Sequence, residues 1–195
     1  MAAGENFWGN IAAQIGGPHV QVTSILSSPG TDPHLYESDV ASALAVAQAR
    51  LAIANGAAYD DFMSQLLAAT VNAGRVALSV QAVLGAHGPD VNAHFWYDIP
   101  SVPQVAAAIE AALARLDPPD ATVFAANLAA VDASLRPVQA VLASIRRRYP
   151  GAPPPLGSVA CQPGTPGPPA TTRRCPSAWY QPPPSGLPGF GARLP

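Results

Sequence analysis

From Asn6 to Val80 the spacing of apolar residues switches repeatedly between a period of 3.6 and a period of two, and this alternation restricts the fold more than any other property of the chain. Asn6 to Gly16 places Phe7, Trp8, Ile11, Ala12 and Ile15 at helical spacing and ends at Gly16-Gly17-Pro18, a C-cap glycine followed by a breaker. Residues 19–26 alternate and carry β-branched side chains, as a strand does. Ser38 to Ala49 reads as a helix with Ser38 or Asp39 as N-cap. Leu51 to Ala54 is a short buried strand closed by Asn55-Gly56. Asp60 to Ala69 is a helix with Phe62, Met63, Leu66 and Leu67 on one side, and Arg75 to Val80 is a third strand. Strands joined through helices of about ten residues imply βαβ units and a mostly parallel sheet, an α/β fold. The few residues before the first helix leave room for about three strand positions, so no strand is expected to feed it.

Further on, Val102 to Leu116 returns to helical spacing, and Asp117-Pro118-Pro119-Asp120 separates it from one long helix over about residues 120–149. Pro137 should kink that helix or occupy an exposed turn. Its end, Arg146-Arg147-Arg148, is a solvated terminus that complements the helix dipole. The character changes at Pro150: residues 151–195 contain thirteen prolines and no Asp or Glu. This composition reads as disordered, with polyproline-like pieces such as Pro182-Pro183-Pro184. It is either a Pro-rich interaction tail or the product of a reading-frame slip in a GC-rich gene. The expected organisation is therefore a lobe over 1–117, a long helix over 118–150 and the tail over 151–195.

Charge and targeting signals exclude several functions. All ten basic residues are Arg and the net charge is −2, without the clustered positive charge that nucleic acid requires, so no nucleic-acid partner is expected. No stretch approaches the ~20 apolar residues of a membrane span. Met1-Ala2-Ala3 runs straight into Gly4-Glu5-Asn6 without the pattern of a signal peptide, which reads as cytoplasmic if Met1 is the true start. Cys161 and Cys175 lack the spacing of a zinc or redox motif. There is no G-x-S-x-G elbow, no H-E-x-x-H and no phosphate-binding glycine loop, so the chain is not expected to be an enzyme.

Two histidines carry the remaining chemistry. His34 sits in Thr31-Asp32-Pro33-His34-Leu35-Tyr36-Glu37, and His94 in Asn92-Ala93-His94-Phe95-Trp96-Tyr97-Asp98, each expected on a loop after a strand and so at the same sheet edge. Two neutral imidazoles converging there suit Zn²⁺ or Mn²⁺. From spacing alone, surface histidines bonded to local backbone are the competing reading; Asp32, Glu37 and Asp98 are possible carboxylates to orient the rings. His87 reads as a solvated loop residue and His19 as an exposed one. Tyr59-Asp60-Asp61 is either a pocket wall or, more simply, a tyrosine before a helix N-cap at Asp60 or Asp61. Phe95-Trp96 is expected to pack beneath the site.

Those two histidine motifs, with Glu5-Asn6-Phe7-Trp8-Gly9-Asn10-Ile11-Ala12, Ile15-Gly16-Gly17, Val22-Thr23-Ser24-Ile25 and Asn55-Gly56 before Tyr59-Asp60, stand in the order of one family. Over about residues 2–150 the chain resembles the zinc/manganese solute-binding proteins of bacterial metal ABC transporters, the cluster A-I periplasmic or lipoprotein receptors. The resemblance implies the amino-terminal lobe of a two-lobe periplasmic-binding-protein-like fold and a connecting helix over 120–149. It also implies His34 and His94 as two metal ligands, Zn²⁺ or Mn²⁺ as transported ligand, and a monomer that meets a membrane permease outside the cytoplasm. The family's third and fourth ligands come from a second lobe that 151–195 does not match, so the chain reads as a truncated or frame-shifted, weak-binding form. The family's opening strand is also expected to be missing. The alternative is an α/β scaffold whose Pro-rich tail engages a partner protein.

Overall fold

The computed structural model describes residues 1–28, 30–88 and 91–150; the expectations for the Pro-rich tail lie outside the described residues. Four parallel strands form one sheet in the order β2-β1-β3-β4: β1 Ala2–Glu5, β2 Thr23–Leu26, β3 Leu51–Ala54 and β4 Val76–Ser79. The strand expected to be missing is present, and it is central. β1 pairs Ala2 with Thr23 on one side and with Ala52 on the other. Its sequence, Ala-Ala-Gly-Glu, has neither β-branched residues nor polar alternation, so it carries no strand pattern. What makes it a strand is burial between two partners. With β1 paired on both sides, the sheet is continuous from β2 to β4.

Side-chain alternation divides the interior into two cores. Ala3, Leu51 and Ile53 point to one face, with Trp8, Ile15, Ile109 and Phe124. Ala2, Ala52 and Ala54 point to the other, with Leu26, Val46, Phe62 and Met63. The first face is covered by α1 (Asn6–Gly16), α5 (Val102–Leu116) and α6 (Ala121–Arg148), the second by α2 (Val40–Gln48) and α3 (Asp61–Ala69). Residues 19–26 do not form one strand, because Pro18 nucleates a 3-10 turn over Gly17–His19 and the ladder starts only at Thr23. A single helical turn that the sequence pattern did not suggest, α4 (Val80–Val83), follows β4 directly, with Ser79 Oγ accepting from the Ala82 amide at 3.3 Å.

α6 runs unbroken through Pro137, which is exposed, as is Ala133, whose carbonyl loses its helical donor there. Only Phe124 and Val131 of this helix are buried, whereas Val138, Val141 and Ile145 are exposed. Its amino-terminal half is therefore what docks on α1 and α5. His19 marks the same junction, with Nδ1 2.7 Å from the Asp120 carboxylate and its ring edge-on to Phe124.

Because Phe124 is fully buried at this junction, Phe124→Ala should lower the unfolding free energy in urea by about 3–5 kcal/mol, while Val138→Ala should change it by no more than about 0.5 kcal/mol.

Candidate metal centre

In the order β2-β1-β3-β4 the chain leaves β1 toward one edge and returns across it to build β3, so the carboxyl ends of β1 and β3 flank the point where open α/β sheets bind ligands. The turn after β3 is unusual. Gly56, Ala57 and Ala58 follow one another with φ of 80°, 56° and 56°, a left-handed run costing about 1–3 kcal/mol for each non-glycine residue. Asp60 holds it: its carboxylate accepts from the amides of Asn55 at 2.7 Å and Gly56 at 2.8 Å, while the Ala57 amide donates to Gln81 Oε1 at 2.7 Å. Asp60 thus occupies the N-cap position of α3 without capping it. The turn delivers Tyr59, whose ring contacts both histidines.

His34 and His94 each meet the Tyr59 ring edge-on, with ring centres 5.6 Å from it in both cases. Their own centres can be no further apart than twice that distance. The structure therefore brings together the two residues the sequence singled out. It does so through one shared aromatic neighbour.

Each histidine is presented by the same local device. In Asp32-Pro33-His34 the Asp32 carboxylate accepts the His34 amide at 2.9 Å and caps a 3-10 turn over Pro33–Leu35. In Asn92-Ala93-His94 the Asn92 Oδ1 accepts the His94 amide at 3.0 Å, and its ring Nδ1 as well at 2.8 Å. An amide oxygen can only accept, so this bond assigns the proton of the neutral ring to Nδ1 and leaves the lone pair on Nε2, ready for a cation. The ring also packs on Trp96, which stacks on Phe7 at 4.1 Å; Phe95 is buried in the core.

Asn55 fixes the His94 loop to the sheet. Its Oδ1 accepts from Trp8 Nε1 at 2.9 Å, and its Nδ2 donates to the Ala93 carbonyl at 2.8 Å. Of the carboxylates considered as ring partners, Asp32 serves a backbone amide and Asp98 accepts from the Ser101 hydroxyl; neither bonds an imidazole, and Glu37 is exposed. His87 is exposed and makes none of the ring contacts around Tyr59, and His19 is bound to Asp120 at the sheet's amino edge. Among the described residues no group of three or more His, Cys, Asp or Glu could hold a metal. The two imidazoles offer two nitrogen donors, and two donors alone do not close a tetrahedral zinc site.

Beneath Tyr59 lies a group that sequence reasoning did not weigh. Glu5, the last residue of β1, is 3% exposed, and no amide or hydroxyl donor reaches either of its carboxyl oxygens, which leaves only a shared proton to join it to another carboxyl. Burial, then the charge of Asp60 and a hydrogen bond with it, push its pKa up to about 9. Burial also raises the pKa of Asp60, opposed by the Gly56 and Asn55 amides, and raises that of Tyr59, with Glu5 adding to the effect.

The chain matches the family described as ZnuA, zinc-uptake complex component A periplasmic, over residues 2–153. It is 28% identical over 122 residues to the manganese-binding lipoprotein MntA of Bacillus subtilis (strain 168), covering 60% of this chain and 40% of that protein. Among solved structures it is similar to the periplasmic zinc-binding protein TroA from Treponema pallidum, with a TM-score of 0.67, 18% identity and coverage of 76% of this chain and 55% of that one. The Mn-bound periplasmic metal-binding protein from Candidatus Liberibacter asiaticus aligns with a TM-score of 0.62 and 22% identity, covering 69% and 52%. The chain thus spans about half the length, or less, of these relatives. The shared fold is the parallel α/β architecture of periplasmic metal-binding proteins.

Asn55 is fully buried, so Asn55→Ala should cost roughly 1–3 kcal/mol for each of the Trp8 and Ala93 partners left unpaired, read by urea unfolding followed through tryptophan fluorescence.

Proposed function

The chain belongs to the zinc-uptake complex component A family, whose members are metal-binding transport components and not enzymes, and on that premise we propose that it captures Zn²⁺ or Mn²⁺ through His34 and His94. The observation that carries this reading is the placing of both imidazoles against Tyr59, with Nε2 of His94 left as the free donor. Neutral imidazole binds either metal, and the pair alone does not choose between them. The remaining coordination positions are filled by water or by groups other than those of the described residues. With only two protein donors from this body, binding is weak unless further ligands join.

Delivery of the metal to the membrane permease of an ABC importer, in an extracytoplasmic setting, follows from the family and is part of the proposal. So is the division of labour in which residues 1–117 bind, and the helix over 118–150 connects to a second body. The exposed apolar face of α6, at Val138, Val141 and Ile145, supports that role.

Isothermal titration of Zn²⁺ tests the site. His34→Ala and His94→Ala should each lower affinity at least tenfold, and Asn92→Ala, which frees the ring it orients, by about 10–100-fold. His87→Ala and His19→Ala should leave affinity unaltered. Unchanged binding in both His34→Ala and His94→Ala would sink the assignment.

A further inference from the structure

The most unusual group outside the ligand pair is the buried carboxyl at the end of the central strand. An ionised Glu5 would be a charge 3% exposed, with no donor on either oxygen and a second carboxylate, Asp60, beside it. Such an arrangement is far too costly to persist; a buried charge is either paired or neutralised. No cation faces it. The titratable groups around the pair are Tyr59 from the same turn and, acting on Tyr59, Asp32 from the His34 loop and Tyr97 from the His94 loop. Arg50 and Arg75 are occupied with carbonyls at the other end of the fold, those of Leu116, Val46, Leu67 and Thr70.

Asp60 is the better-solvated partner in the electrostatic sense, because two amides already point at its oxygens. The negative charge therefore resides on Asp60 and the proton on Glu5. A protonated Glu5 turns one of its oxygens into a donor, and Asp60 retains lone pairs to accept it. Space for this approach is left by Gly4, where an added Cβ would stand 2.9 Å from Asp60 Oδ2.

We propose that Glu5 carries a proton in the working protein and donates it to Asp60, and that this acid pair is the positioning element that holds the left-handed Tyr59 turn, and through Tyr59 both histidine rings, in the geometry that receives metal. The proposal rests on the reading of His34 and His94 as ligands. Glu5 does not touch the metal. It acts by keeping Asp60 on the Asn55 and Gly56 amides: when Glu5 ionises, two like charges repel, the clasp loosens and the strained Gly56-Ala57-Ala58 turn relaxes.

The direction of the pH effect follows. Glu5 holds its proton up to about pH 9 in the folded chain, against an ordinary value of 4.5 when unfolded. Between those limits the folded state binds one more proton, so stability is full below the unfolded value and is lost as pH rises through the folded one. The unfolding constant rises by up to about tenfold per pH unit in that window.

The test uses the full chain with Glu5→Gln and Glu5→Ala. Gln is neutral and its amide can donate to Asp60, so Glu5→Gln should keep the zinc affinity of the unsubstituted protein within about threefold at neutral pH and remove its alkaline loss of stability. Glu5→Ala, lacking the donor, should lose at least tenfold in affinity. The Trp8 indole N–H, bonded to Asn55 within the clasp, gives an independent signal: its NMR resonance should titrate on the alkaline side in the unsubstituted protein and not in Glu5→Gln. This arm stands even if Glu5→Ala fails to fold. An unchanged Trp8 titration in Glu5→Gln, loss of zinc binding in Glu5→Gln as severe as in Glu5→Ala, or dependence of the Trp8 signal on Na⁺ or K⁺ in place of pH would each overturn the proposal. If His34→Ala and His94→Ala leave zinc binding intact while Glu5→Gln abolishes the Trp8 titration, the ligand assignment fails and the acid pair stands.

Discussion

Both histidines depend on a carboxylate that touches neither of them. Asp60 turns back from the start of α3 onto the amides of Asn55 and Gly56 and so holds three consecutive left-handed residues in place. The two non-glycine members cost about 1–3 kcal/mol each. Two hydrogen bonds to a charged acceptor, worth about 1.5–3 kcal/mol apiece, are of the size needed to offset that. The result is a Tyr59 ring that His34 and His94 both meet edge-on from two separate loops. An ordinary αR turn would start the helix equally well, but it would not carry Tyr59 to that position.

The small residues of β1 belong to the same arrangement. A strand buried on both faces and paired on both sides ordinarily favours Val or Ile. Here Ala2 and Ala3 fill the two cores only partly, which lets Trp8, Met63 and the large residues of β3 close over them. Gly4 leaves the space in which Asp60 sits, and Glu5 then meets Asp60 at the switch point of the sheet. Stability and display of the site are therefore linked in one four-residue segment. A better strand former at Gly4 would improve the ladder and collide with the clasp.

The sequence was most legible where periodicity was long or sharply bounded. The bounds of α1, β3 and α5 coincide with their apolar patterns, and Asp39 caps α2 through the Ser42 amide. β1 was missed because its strand state comes from its neighbours and not from its own residues. Asp60 was misread because an Asp before a helix almost always signals a cap, and nothing local reveals that its acceptor oxygens are spent on the preceding turn. The site itself was half legible: both histidines stood out, and the family resemblance carried them further. The Asn92 role was also within reach, since Asp32-Pro33-His34 and Asn92-Ala93-His94 share an Asx residue two positions before the imidazole. That spacing lets a side-chain oxygen hold the histidine amide. Only the ring bond, made by Asn92 and not by Asp32, required the structure.

Charge explains why such a base suits capture. In the proposed capture, two neutral imidazoles would hold a divalent cation without neutralising it, while the negative charge of Asp32 and of the acid pair acts on the neighbouring Tyr59. Their field favours a cation at the sheet edge, while desolvation and the shared proton keep the pair from becoming ligands themselves. A carboxylate free to swing onto the metal would turn a half-site into a tighter one with its own preferred geometry. With the proton locked between Glu5 and Asp60, affinity beyond the two nitrogen donors proposed would have to come from groups that approach from the open side of the edge. On the proposed reading, tight binding is then conditional on that approach.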